Sequence, residues 1–292
     1  MIGLHRHLSP LSELAWKEIE DEGREVLSLH MAARRIVDVS GPHGWGHAAV
    51  DLGRVEPLEG GPPGARVCRR RVRPLLELRV PFELERTEME AIDRGAEDPD
   101  LDALRDAARL FAAAEDSALF EGYEAGGVPG ILADADHDPV ALPADPVHLP
   151  DAVSSALELL RQAGVAGPYA MALGPDAWGQ LHTAEEGGHP VLNHVKRLLD
   201  GPIVWAPSLR GGVLASLRGG DFRLVLGRDV SVGYLSHDER RVRLFLEESF
   251  TGELLGPEAA VPLIHPAGVP AQRGTDGRAA TGDTRGNRRS KT

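Results

Sequence analysis

Apolar residues recur at three- and four-residue steps near the start of the chain. Leu11, Ala15, Ile19, Gly23, Val26, His30 and Ala33 form one stripe, and Lys17, Glu20, Asp21, Arg24 and Glu25 fall elsewhere. That period predicts an amphipathic helix, opened by the cap Ser9 and by Pro10, where proline's missing donor costs nothing. At Ile36–Val39 the period changes to that of a strand. A second long helix is predicted over Asp100–Glu121, with Leu101, Leu104, Ala108, Phe111, Glu115 and Ala118 on one stripe and Gly122 as its stop. A turn at Gly126–Gly130 leads to an α/β part beginning near Pro150. There Asp151 caps a helix carrying Val153, Ala156, Leu157 and Leu160, with Gly164 ending it. Strands follow at Tyr169–Leu173, Ile203–Trp205 and Val213–Leu217, and helices at Pro175–Leu181 and Val191–Leu199 flank the loop His182–Pro190. The closing run from Gly219 to Phe250 holds short strands at Phe222–Leu226, Val230–Leu235 and Val242–Glu247 and further strand-like residues after them, with turns at Gly227, Gly233 and Ser236–Glu239. Val242, Leu244 and Leu246 alternate with charged neighbours, the period of a half-buried strand. The pattern is α+β, with no repeat at solenoid spacing.

Residues 45–85 read as a two-stranded excursion, with arms Ala48–Leu58 and Val67–Phe82 and a Gly/Pro turn at Glu59–Ala65. A hairpin buries too little of itself to stand alone in water, so a projecting ribbon implies a partner surface. Leu75, Leu76, Leu78 and Val80 supply apolar side chains, and Arg66, Arg69–Arg71 and Arg73 supply charge. The arginine run reads as a strand facing an acidic neighbour rather than as a phosphate patch.

Composition narrows the class. The 292 residues suffice for one large domain or two modest ones. A single cysteine, Cys68, excludes an internal disulfide and a cysteine-rich zinc site, and fits a reducing cytoplasm. No signal peptide and no run of membrane-spanning length is expected. The net charge of −13 is uneven: residues 265–292 carry six basic and two acidic residues, leaving −17 for the rest. An acidic body argues against nucleic acid as the main partner. The tail has no apolar residue larger than alanine and proline after Val269 and is expected to be disordered.

Catalytic signatures are missing. Lys17, Lys196 and Lys291 do not follow glycine, so no P-loop forms. There is no H-E-x-x-H, G-x-S-x-G or G-x-G-x-x-G. Asp134, Asp136, Asp138 and Asp145 have calcium-loop spacing, but Pro139 stands where the loop needs glycine, and a polar turn is expected. His43 and His47 are separated by Gly-Trp-Gly, and His5 and His7 lie on an N-terminal arm. All four read as surface histidines, and no metal site is expected. A dispersed nucleophilic triad leaves no sequence signal to weigh.

Several motifs in order resemble one family. The closing run contains GGDF from Gly219, LGRDVSVGY from Leu226 and VRLFLEESF from Val242. The start contains LHRHLSPLSELAWKEIEDE from Leu4 and RRIVDVSGPHGWGHAAVDLG from Arg34. Between them come GGVPG ending at Gly130, GPY at Gly167–Tyr169 and Gly-x-Pro at 188–190. Across roughly residues 4–263 the chain resembles family 1 encapsulin shell proteins, the linocin-type bacteriocins.

The resemblance implies a Hong Kong 97 phage-capsid-like fold with a peripheral domain, an axial domain and an extended loop. Its expected division is an N-terminal helix and arm (1–44), the extended loop (45–85), a first peripheral part (86–149), the axial domain (150–206), a peripheral closing sheet (207–264) and the basic tail (265–292). It implies a non-enzymatic subunit that self-assembles into an icosahedral shell in the cytoplasm. The shell would enclose a ferritin-like iron protein or a dye-decolorizing peroxidase, docked by a C-terminal peptide on the inner wall. Matching motifs give Arg34 and Asp38 as charged contacts and Val39, Val230 and Tyr234 as an apolar groove. The competing reading pairs Arg34 with Asp38. The loop carrying Glu185, Glu186 and His189 would ring the five-fold pore. Some relatives bind flavin through a tryptophan where Thr87 stands here, so no flavin is expected. The tail would decorate the exterior. The alternatives are a phage major capsid protein around packaged DNA, to be told apart by the charge of the inner wall, and a bacteriocin-like hydrolase.

Overall fold

The computed structural model describes residues 3–266, so the expectations for the tail lie almost wholly outside the described residues. Helix α1 (Glu13–His30) starts one turn later than its sequence suggests. Ser12 is the cap, its hydroxyl accepting the Ala15 amide at 3.1 Å, while Ser9 accepts the Leu11 amide in a turn of its own. A short turn at Ala33–Arg35 leads into β1 (Asp38–Ser40).

The ribbon is shorter than the apolar pattern suggests. Strands β2 (Ala49–Pro57) and β3 (Cys68–Pro74) pair only with each other. Their root is closed by the Leu75 amide donating to the Ala48 carbonyl at 2.9 Å. The next strand, β4 (Leu76–Glu85), leaves the ribbon and enters a main sheet, burying Val80, Phe82 and Leu84 on one face. The apolar alternation first given to the ribbon's second arm is therefore that of a sheet strand. The acidic neighbour of the arginine run is the ribbon's own other strand: Arg69 pairs with Glu56 at 2.9 Å and Arg70 with Asp51 at 2.5 Å.

Helix α2 (Arg86–Asp93) and the long α3 (Asp102–Phe120) follow. Leu101, Leu104, Ala108, Phe111, Glu115 and Ala118 are all buried, so the predicted stripe is the buried face, its one acid included. Gly122 takes φ +84° just past the helix and packs on Gly130. After β5 (Val140–Ala141), α4 (Leu149–Gln162) begins with Pro150 in its first turn, and Asp151 lies inside the helix instead of capping it. Strand β6 (Tyr169–Leu173), α5 (Pro175–Thr183), the small strands β7 (Glu185–Glu186) and β8 (His189–Pro190), α6 (Val191–Leu199) and β9 (Asp200–Trp205) complete this part.

The chain then crosses between two sheets. Strand β10 (Gly212–Ser216) belongs to the sheet β5-β14-β10-β6-β9, whose β14 (Ala260–Ile264) is the last described strand. Residues near 140, 212–216 and 260–264 thus join the α/β part, which extends beyond the expected 150–206. The other sheet holds β11 (Phe222–Leu226), β12 (Ser231–His237) and β13 (Arg241–Leu254) with β1 and β4. Strand β13 is its spine: Phe250 pairs with Leu226 on one edge and Leu76 on the other. One core lies between α1, α3, β4, β12 and β13, with Ile19, Leu104, Phe111 and Leu244 fully buried. A second core joins α4, α5 and α6 to the β6–β10–β14 sheet. Each fully buried Leu or Phe stabilises the fold by roughly 1.5–3 kcal/mol.

Candidate docking groove

Between α1 and β12 lies a groove of about 510 Å³. Its apolar floor is Gly23, Leu27 and Met31 from α1 and its end, with Val232 and Leu246 from the sheet and Val230 just before β12. Its rim is charged, with Arg6, Glu20, Arg24, Arg34, Arg35 and Asp229. The helical stripe and the period-two strands therefore meet along one line. The free edge of β12 is partly taken, because the Leu4 carbonyl accepts the Tyr234 amide at 2.8 Å and Arg6 Nε donates to the Val232 carbonyl at 2.7 Å.

Arg34 sits at the end of this groove and does not pair with Asp38. Its Nε donates to both oxygens of Glu115 at 2.9 and 3.1 Å, and Nη2 donates to Glu115 Oε2 at 2.6 Å and Glu248 Oε2 at 2.7 Å. Nη1 reaches Asp229 at 2.8 Å. Burial works against the guanidinium's charge, but these carboxylates outweigh it and raise its pKa. The turn that carries Arg34 is fixed by Asp116, whose oxygens accept the Ala32 and Ala33 amides at 3.0 and 2.9 Å. Burial pushes Asp116 up to about 7 against those two amides. Burial and the neighbouring Glu115 push Glu248 well above the carboxylate range, against Arg34.

The other expected contacts are dispersed. Val230 lines the groove beside Arg34. Tyr234 is buried, its hydroxyl 2.6 Å from His237 Nδ1. Asp38 lies in a separate pocket of about 70 Å³ with Gly219 and Asp221 and accepts the Gly220 amide at 2.6 Å. Val39, on β1 beside it, is 47% exposed. The groups that motif matching missed are Glu115, Asp116, Asp229 and Glu248. An acid at an apolar step of α3 was the available signal for Glu115.

Glu185, Glu186 and His189 stand exposed on the β7–β8 hairpin, where Glu186 is paired with His189. Gly187 and Gly188 turn it at φ +56° and +82°, a geometry that favours glycine at both places. Thr87 is exposed on the first turn of α2. His43 and His47 come together without a helix, their rings 4.8 Å apart. Asp134 accepts the Gly130 amide at 2.9 Å as part of a turn. Among the described residues no group of three or more His, Cys, Asp and Glu is placed to hold a metal, and no helix is long and apolar enough to cross a membrane.

A family model described as "Encapsulating protein for peroxidase" matches residues 1–251. A type 1 encapsulin shell protein of Rhodospirillum rubrum is 51% identical, the match covering 90% of this chain and 96% of that one. Those of Mycolicibacterium paratuberculosis and Brevibacterium linens are 45% and 40% identical, each over 90% of this chain and 99% of theirs. Among solved structures, the virus-like particle from Pyrococcus furiosus superposes with TM-score 0.58 at 17% identity, over 84% of this chain and 98% of that one. The capsid of Myoviridae phage XM1 gives 0.51 at 10% identity, over 78% and 89%. These likenesses identify the fold as that of Hong Kong 97 capsids. With the family model spanning most of the residues and relatives 40–51% identical, the chain belongs to the type 1 encapsulin shell proteins, structural subunits of a capsid-like compartment rather than enzymes.

Proposed function

We propose that this subunit closes into an icosahedral cytoplasmic shell and that the groove between α1 and β12 receives the C-terminal peptide of an enclosed enzyme. The observation that carries the reading is the groove itself, with an apolar floor and a charged rim. Because Leu4 and Arg6 already occupy part of β12's free edge, the peptide is read by side-chain pockets rather than by joining the sheet. The family's description as encapsulating a peroxidase favours a dye-decolorizing peroxidase as cargo, with a ferritin-like iron protein as the second class. The β7–β8 hairpins ring the five-fold opening, where Glu185 and Glu186 concentrate cations and His189 adds a pH-sensitive charge. Thr87 offers no ring face to a flavin, and purified shells should show no flavin absorbance.

The test is co-expression with a fluorescent reporter ending in a short Gly/Leu-rich peptide. Wild-type particles, seen hollow by electron microscopy, should retain the reporter. Val230→Asp places an unpaired charge in the groove and should cut retention by about tenfold or more. Hollow particles that never retain the reporter refute the docking, and small oligomers without particles refute the closed shell.

A further inference from the structure

Beneath the groove three carboxylates meet one guanidinium. Glu115 and Glu248 have no exposed side-chain surface, and both bind the same Arg34 Nη2, at 2.6 and 2.7 Å. Asp229, half-exposed at the rim, takes Arg34 Nη1. Glu248 Oε1 is buried with no hydrogen-bond partner among the described residues. An ionised carboxylate oxygen in that position would lose its hydration without compensation, whereas a protonated one is a donor.

Among the described residues, Arg34 is the cation that bonds both buried acids. From α3 come Glu115 and Asp116, both buried. From β13 comes Glu247, which is matched by Arg79 of β4 and by Arg228. From α1 the groove receives Glu20, which pairs with Arg6 at 2.5 Å, and Arg24, which pairs with Asp21 at 2.6 Å. Arg35 is exposed at the groove's rim.

We infer that Glu115 and Glu248 share one proton under the groove and that losing this proton loosens the groove's hold on its occupant, so that cargo capture weakens as pH rises. The inference rests on the docking reading above. Ionisation breaks the O–H bond of Glu248, leaves the electron pair on its carboxylate and releases the proton to water at the groove mouth. Arg34 is then drawn into a doubly charged buried pair and away from the rim. An occupant that seals the mouth removes water from the pair and favours the protonated form. By reciprocity, deprotonation disfavours the occupant. The raised pKa of Glu248 accords with this, its causes being burial and then Glu115.

Glu248→Gln keeps the shape of the neutral acid and can donate to Glu115, but it cannot ionise. A labelled Gly/Leu-rich peptide is titrated into empty wild-type and E248Q shells, and affinity is read by fluorescence anisotropy from about pH 6 to about pH 9. Wild-type affinity should fall by up to about tenfold per pH unit above the ionisation of the pair, and E248Q should show a flat profile. Infrared spectra of the empty shells at neutral pH should show a protonated carboxylic-acid band that loses intensity in E248Q, over the contribution of Asp116 common to both. A flat wild-type profile, an unchanged slope in E248Q or an infrared band of equal intensity in both proteins overturns the inference. No peptide binding at any pH overturns the docking reading, while the infrared band still decides the proton. Should E248Q not assemble, Glu115→Gln and the wild-type spectrum serve in its place.

Discussion

Arg34 shows why one residue can be found by motif while its role cannot. It was expected to hold a peptide, yet its guanidinium is committed to Glu115, Glu248 and Asp229. Replacing it by methionine leaves two fully buried acids without a cation, a change that typically costs about 3–5 kcal/mol. Arg34→Met should lower the thermal midpoint accordingly, and the deficit should shrink at acid pH, where Glu248, pushed up by burial and by Glu115, is neutral; calorimetry across pH checks both. Asp116 gives a second pH signature. Its pKa is raised on folding from 3.8 to about 7, so the folded state binds more protons and stability falls as pH rises between those values, then levels off. Asp116→Asn should flatten that part of the stability curve, and an unchanged slope would refute the assignment. Neither partner acid was legible in the sequence with its role. Glu115 showed only as a charge on an apolar stripe. Glu248 showed nothing, because period-two alternation presumes one wet face, and β13 buries Glu247 and Glu248 in succession.

At the scale of elements, local signals worked wherever the boundary was local. Strands β6 and β11 and helix α6 begin and end where glycine, proline and apolar period place them. Partner choice was not local. Nothing in Gly212–Ser216 says that it pairs with β6, nor in Ala260–Ile264 that it pairs with β10, across a long separation in sequence, and nothing short of tertiary pairing moves β4 from the ribbon to β13. The corrected ribbon makes a sharper prediction. Strands β2 and β3 pair only with each other, Arg73 reaching the main sheet by a hydrogen bond to the Gly252 carbonyl at 2.9 Å, and the Leu75 amide already meets the Ala48 carbonyl at 2.9 Å. A short Gly-Ser turn can therefore replace the ribbon without touching either core. This deletion should leave the subunit folded, with its helical far-ultraviolet circular dichroism signal and a cooperative thermal transition retained, and should abolish particles in size-exclusion chromatography. Particles formed by the ribbonless chain would show that the ribbon does not contact a neighbour.

At the scale of the whole molecule the decisive quantity is charge. Each subunit carries −13, of which residues 265–292 offset four units. A shell brings like-charged copies together, so every contact formed by apolar surface works against repulsion. Two unit charges about 10 Å apart in water repel by about 0.4 kcal/mol, small singly but summed over many pairs in each subunit. Salt at about 0.15 M screens beyond about 8 Å and removes most of this sum. Assembly should therefore be stabilised by salt, with the urea midpoint of particle dissociation higher at about 0.5 M than at about 0.02 M sodium chloride. Truncation after Pro266 removes six basic and two acidic residues and takes the subunit from −13 to −17. If the tail acts by its charge, the truncated shell needs more salt to reach the same midpoint, and its midpoint climbs more steeply with salt than that of the full chain. Light scattering across a urea series at several salt concentrations measures both slopes. Equal slopes would show that the tail's charge does not offset that of the body, and a midpoint falling with salt would show that attractive ion pairs between subunits outweigh their net repulsion.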